Sequence, residues 1–574
     1  MKKILCILFI SVFAFNARAD LPTILSDDDA EIYREMFRLQ DAGKFDAAKK
    51  MDNKPSDKIL IGEAQYQRYM AKNYHASLSE LNLWLSKNSK HPGAESIYQL
   101  ARKKGGNKLN TRPPALPTLL SARDGTAESE KITSGTYAKN INSKIASFKR
   151  ALQRGKTLNA KNVLDDSAVK RALSSSDYGR LAGRLAFMYY TDAQFEMAER
   201  WGKISAESGS EYGLWTMGLI SFKNERFSDA AEYFGRMLDL EHIGEPRKAE
   251  AGFWAGRSAD ANGDSSRARQ FWKNASKNPQ TFYGALSTKM LGHEPKFKFF
   301  EQNLSKRDVA EIMKHSYGMR GMALLQVEQI EAAERQFRYL ATQDASDALL
   351  HAVHALAVAA DLPRVSLQLG RIVRERGIME IDSDMISSAA YPVPNWNPLK
   401  GWSVDRALVF AIIRQESAFK SNAKSHAGAF GVMQIMPKTA KVVARQNHIN
   451  LNQLDLGTPN HNVYLGQTLI GNLLARTHID NNLIKMLASY NAGEGRMLRW
   501  EKRFHTDDPL LYIESFPAKE TREYIKIVMA NLWLYRARLN QPNTTLSDLA
   551  DGQWPLHSSL DDMTTINAKN KSDL

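Results

Sequence analysis

A recurrence constrains this chain more than any other feature. Four segments, DAQFEMAERW, NERFSDAAEYF, SSRARQFW and IEAAERQF, each place an alanine where helices pack closely and an aromatic residue about one turn later. The aligned alanines are Ala198, Ala230, Ala268 and Ala333, separated by 32, 38 and 65 residues. A period in the thirties with one doubled interval describes helix pairs. A helix pair cannot bury its apolar face alone, so such units stack on their neighbours into a superhelix. The pattern from Asp27 to about Ser388 is helical almost throughout, and this whole stretch is expected to form one α-superhelical array.

The repeats resemble tetratricopeptide-like hairpins in degenerate form. Two interruptions punctuate them. TRPPALPT, Thr111 to Thr118, followed by a polar run, marks a sub-boundary near 111–135. The stronger break is YPVPNWNPLKGW, Tyr391 to Trp402, with three prolines in seven positions, which ends the helical array. Glycines and dense polar-aromatic motifs follow. The expected division is an N-terminal segment 1–19, a superhelical domain 20–390, a second domain 391–540 and a polar, frayed tail 541–574.

Lys2 and Lys3 precede the apolar run ILCILFISVFAF, and Ala17-Arg18-Ala19 supplies an A-x-A cleavage site. That is the pattern of a secretory signal peptide cut after Ala19. No later stretch reaches the roughly 20 apolar residues of a transmembrane helix. The single cysteine, Cys6, lies inside the signal, so disulfides play no part in the mature chain. The expected address is the periplasm. The net charge of +15 suits an acidic polymer as partner, and export argues against nucleic acid.

Chemistry is concentrated after the proline-rich break. A helix opening at Ser403, taken as its N-cap, would carry Val404, Leu408 and Ile412 on one buried stripe, and Glu416 is the next member of that series. The helical period aims its carboxylate at the apolar interior. Desolvation disfavours the charged form, so such a glutamate can hold a proton near neutral pH and donate it. Downstream, GAFGVMQIMP supplies Gln434 and Met436 at alternate positions, on one face if the segment is extended. ASYNAGEGR puts Tyr490 and Asn491 at a helix terminus, and IESFPAKETREYIKIV sets Glu520 in a first turn with Tyr524 four residues on.

In this order the motifs resemble the catalytic domain of the soluble lytic transglycosylases, which share a goose-type lysozyme-like fold. They stand here as Glu416-Ser417, Gly431 to Pro437, Ser489 to Gly493, and Glu520 to Tyr524. The resemblance extends upstream through NPQTFYGALS and the Tyr391–Pro394 junction to the superhelical region. It implies a mainly α protein in which a long superhelix precedes the lysozyme-like domain. It makes Glu416 the sole catalytic acid/base and puts Ser425, Gln434, Met436, Tyr490, Asn491, Glu520 and Tyr524 in the saccharide cleft. Val432, Ser489 and Glu494 depart from the commoner residues, and Glu494, beside the Tyr490 turn, is expected to face solvent.

Two carboxylates serve most glycosidases. The sequence shows no obvious second one for Glu416. Asp405 lies three turns back, and Glu494 and Glu520 belong to other motifs. The resemblance implies that the muramic 6-hydroxyl attacks its own anomeric carbon, cleaving the β-1,4 bond between N-acetylmuramic acid and N-acetylglucosamine and leaving a 1,6-anhydromuramoyl end. The alternatives are a hydrolytic muramidase and a non-catalytic envelope scaffold of helical repeats. Peptidoglycan strands are the expected partner, with envelope proteins docking on the repeats. RGKT, Arg154 to Thr157, lacks the first P-loop glycine, and no HExxH pattern occurs among the 13 histidines. No cofactor or metal is expected.

Overall fold

A computed structural model describes residues 21–105, 113–118, 137–300, 302–342, 344–378 and 385–561. The expected signal peptide, most of the sub-boundary near 111–135 and the chain beyond 561 lie outside the described residues. All four repeat alanines are fully buried, as close helix packing requires. The chain forms two compact units, neither continuous in sequence: Met1–Arg123 with Phe299–Asn395, and Asp124–Lys298 with Trp396–Leu574. Ala333 therefore belongs to a different unit from Ala198, Ala230 and Ala268.

In the first unit, Tyr33, Met36 and Phe37 of the helix Asp27–Asp41 share a core with Leu324, Phe337, Leu350 and Leu356. A smaller core gathers Tyr69, Trp84 and Ile97. Glu63, fully buried, is paired with Arg335 at 2.5 Å and with His91 at 3.0 Å.

In the second unit the helices Ser175–Thr191, Phe195–Glu207, Glu211–Lys223, Phe227–Leu238, Glu245–Ala261 and Ser265–Ala275 pack each against the next. The helix Arg406–Glu416 lies against the long helix Lys519–Arg538, which also receives Leu483–Ala492. Repeat residues reach this group directly: the Tyr190 hydroxyl lies 2.7 Å from Ser515 Oγ, and Arg257 pairs with Asp508 at 2.6 Å.

The segment after residue 541 is not frayed as far as it is described. Thr544–Ala550 is a helix burying Leu546 and Leu549, Leu483 N–H donates to the Pro555 carbonyl at 2.9 Å, and Asp561 pairs with Arg406 at 3.1 Å. A few apolar side chains at helical spacing suffice to dock an otherwise polar stretch. Among the described residues, no helix is long and apolar enough to cross a membrane.

Candidate active site

The helix that carries Glu416 starts at Arg406, two residues later than its sequence suggests, and its N-cap is Asp405 rather than Ser403. Asp405 is fully buried, accepts from the Ala407 N–H at 3.4 Å and pairs with the buried Arg536 at 3.4 Å. Ser403 instead donates its backbone N–H to Gln467. The cap is thus chosen by a distant cation as well as by local propensity. Val404, Leu408 and Ile412 are all buried as expected.

The helix stops at Glu416 because the chain turns left-handed at Ala418 and Phe419, with φ of 47° and 64°. Phe419 is driven into the core against Phe410 and Trp396, which holds this turn in place. Glu416 is left at the last helical position, partly covered. Burial pushes its carboxyl from the ordinary 4.5 up to about 7, against a lowering from the Tyr524 hydroxyl and with a further push from the negative charge of Glu520. The helix C-terminus, rich in carbonyl oxygens, acts in the same direction as burial. The Tyr524 hydroxyl faces Glu416 without closing a hydrogen bond of ordinary length and has no other partner among the described residues.

Tyr524 stacks on Tyr490, ring centroids 6.5 Å apart and planes 8° from parallel. Tyr490 donates its hydroxyl to the Met433 carbonyl at 2.7 Å, which ties the helix Leu483–Ala492 to the glycine-rich loop. Asn491 accepts from the Thr521 hydroxyl at 2.7 Å, one residue from Glu520. The helix ends at Gly493, whose φ of 87° lets the chain turn straight into Glu494–Glu501.

Gln434 and Met436 do not alternate along an extended segment. Phe430 and Ile435 exchange backbone hydrogen bonds of 3.1 and 3.0 Å, closing the intervening residues into a tight loop in which Gln434 has φ of 46°. Its amide nitrogen donates to the carbonyls of Ala423 and Gly431, so only its oxygen is left for a ligand. Ser425 accepts from the Ala429 N–H at 3.0 Å in the turn that precedes this loop, and Met436 is exposed at the N-cap of the helix Pro437–Gln446. The exposed Glu520 occupies the first turn of Lys519–Arg538.

Two features escaped the sequence reading. Asn462, fully buried, accepts from Met433 N–H at 2.9 Å and donates to the carbonyls of Phe430 and Leu456, bracing the loop from within. Its signal was a polar residue at the head of a stripe continued by Gly466 and Ile470. Glu494 does not face solvent alone: its carboxylate lies 2.9 Å from His478 Nε2 and 3.6 Å from Arg476 Nε. Among the described residues, no group of three His, Cys, Asp or Glu is placed to hold a metal ion.

The arrangement is a half-buried, proton-holding carboxyl with a phenol at hand, beside a loop that presents an amide oxygen and a thioether. Residues 397–513 match the family model described as the transglycosylase SLT domain. The soluble lytic murein transglycosylases of Salmonella typhimurium and Escherichia coli K12 are each 34% identical, over 154 and 152 residues respectively, which is 26% of this chain and 23% of theirs. The chain thus aligns with about a quarter of the length of these relatives. Two crystal structures cover nearly all of it. One is the 70 kDa soluble lytic transglycosylase of Escherichia coli, with a TM-score of 0.58 and 15% identity over 94% of this chain and 100% of that one. The other is an inactive glutamate-to-glutamine mutant of the Pseudomonas aeruginosa enzyme, with a TM-score of 0.55 and 17% identity over 93% of this chain and 88% of that one. At these identities the structural likeness establishes the fold, mainly α throughout.

Proposed function

Because residues 397–513 belong to the transglycosylase SLT domain family, we propose that this chain cleaves the β-1,4 bond between N-acetylmuramic acid and N-acetylglucosamine in peptidoglycan. The observation that carries the reading is Glu416, a carboxyl pushed up to about 7 at the end of a buried stripe. Such a group is both a proton donor and, once ionised, a base close to neutral pH.

Glu416 gives its proton to the glycosidic oxygen as the bond to the muramic anomeric carbon breaks. The resulting carboxylate takes the proton of the muramic 6-hydroxyl, whose oxygen bonds to that carbon. The products are a 1,6-anhydromuramoyl end and a free 4-hydroxyl, and water is not consumed. A nucleophile held by the sugar ring itself carries a large effective-molarity advantage. Tyr524 turns its hydroxyl to the carboxylate as charge develops there. The amide oxygen of Gln434 and the side chains of Met436, Ser425, Asn491 and Glu520 bind the saccharide, and Tyr490 holds the loop that presents Gln434 and Met436. Export by the N-terminal segment to the periplasm, where peptidoglycan lies, fits this substrate.

One observation favours a second reading. Glu520, exposed in the first turn of the helix that carries Tyr524, supplies a second negative charge that acts on Glu416. Were it to activate water, the enzyme would be a muramidase with reducing-end products. Mass spectrometry of muropeptides released from purified sacculi separates the two: anhydro ends support the transglycosylase, reducing ends the hydrolase. Glu416→Gln should abolish release while glycan binding persists, and appreciable turnover by that variant would refute the assignment.

A further inference from the structure

The helix Lys519–Arg538 carries two sets of functional groups on different faces. Glu520 and Tyr524, one turn apart, look towards Glu416. Arg522 and Lys526, also one turn apart, are rotated roughly 200° from Tyr524 at 3.6 residues per turn. Both are buried, the Lys526 side chain to 4% exposure. A lysine there is held by what surrounds it. Its ammonium bonds to Glu250 of the repeat helix Glu245–Ala261, to Glu514 at 3.2 Å and to Glu523 at 3.1 Å.

Those partners are themselves fixed. Glu250 is also bonded to Arg247, which reaches Glu211 at 2.6 Å and lies 4.0 Å over the Trp215 ring. Glu514 accepts from the Tyr283 hydroxyl at 2.6 Å, and that oxygen accepts from the Trp254 indole at 3.1 Å. Arg522 donates to the carbonyls of Phe516 and Pro517 and stacks 4.5 Å from the Phe187 ring. In such a dry cluster a charge that slides away from its partner is left uncompensated. The cluster therefore fixes both the rotation and the axial position of the helix that presents Tyr524.

We infer that Glu250 and Lys526 are positioning residues, through which the repeat helix Glu245–Ala261 sets the Tyr524 hydroxyl against Glu416. Neither touches the reacting atoms; they act through Tyr524. The inference rests on Glu416 being the acid/base. Glu416 is otherwise faced by Glu520 from the same long helix and by Tyr490 from Leu483–Ala492.

The sign of a pH shift separates positioning from plain electrostatics. Removing the anion Glu250 by itself lowers the pKa of a distant carboxyl, whereas drawing the Tyr524 hydroxyl away raises it. The test is the alkaline limb of the kcat/KM profile on sacculi, measured with the full chain for wild type, Glu250→Gln, Tyr524→Phe and the double variant. Expected is an upward movement of about half a unit or more in both single variants, with kcat reduced more than KM is raised. The double variant should move no further than Tyr524→Phe. A wild-type or lowered limb in Glu250→Gln, or additive shifts in the double variant, would overturn the inference. If Glu250→Gln does not fold, Lys526→Arg, which keeps the charge and changes its reach, should raise the limb, and an unmoved limb there would overturn it equally. An active Glu416→Gln would instead sink the reading beneath. Loss of activity in that variant beside an unmoved limb in Glu250→Gln defeats the positioning role alone.

Discussion

Replacing Glu416 by glutamine should make the protein more stable at alkaline pH, and the size of the gain follows from the site. The carboxyl titrates at an ordinary 4.5 in an unfolded chain and at about 7 in the folded one. Below pH 4.5 it is protonated in both states and favours neither. As pH rises towards 7 the unfolded chain releases a proton that the folded one keeps bound, so the unfolded state is increasingly favoured. Above the folded pKa the full difference of about 2.5 units costs about 3 kcal/mol at 1.36 kcal/mol per unit, a ceiling set by the access water retains to the partly covered group. Glutamine stays neutral throughout. Urea unfolding of wild type and Glu416→Gln at a series of pH values, followed through the transition of the second unit, should give stability curves that run parallel below pH 4.5. They should diverge through pH 7 and run parallel again above pH 8, with the variant ahead. Parallel curves from pH 5 to pH 9 would show that Glu416 titrates alike folded and unfolded, and the account of a dry, proton-holding acid would fail. Such a gain is what a functional group kept in an unfavourable place predicts.

Asp405→Ala leaves Arg536 buried without its carboxylate and the catalytic helix without its cap, and should cost about 3–5 kcal/mol in urea unfolding. Asp405→Asn, which keeps the cap, should lose less. Gly431→Ala adds a methyl that would meet Asn462 Nδ2 at 1.9 Å on a residue with φ of 81°. It should destabilise the loop by about 2–5 kcal/mol and reduce cleavage of sacculi, with far-UV circular dichroism unchanged.

The parts of the fold that were legible in the sequence depend on local period. The four repeat alanines and the stripe of Val404, Leu408 and Ile412 announce their burial because helix packing imposes spacing on neighbours. The loop and the cap were misread for a different reason. Whether Gln434 is extended or turned is settled by Asn462, nearly thirty residues further on, and whether Ser403 or Asp405 caps a helix is settled by Arg536, 131 residues away. Lys526 reads in sequence as one more surface lysine, since nothing near it betrays Glu250. The tail misled through its average polarity, which hides Leu546, Leu549 and Leu560 at the core.

Glu250 and Lys526 are 276 residues apart in the chain. Any process that delivers the polypeptide N-terminus first exposes the helix Glu245–Ala261, with Arg247 and Glu250 on it, long before Lys526 and Glu514 emerge. At the ordinary pace of synthesis the delay is ~15–55 s, far longer than a helix needs to form. Through that interval the cation available to Glu250 from its own helix is Arg247, three residues before it. The cluster can therefore close in full only once the last quarter of the described helices has been delivered, since Lys526 and Glu514 both come from there.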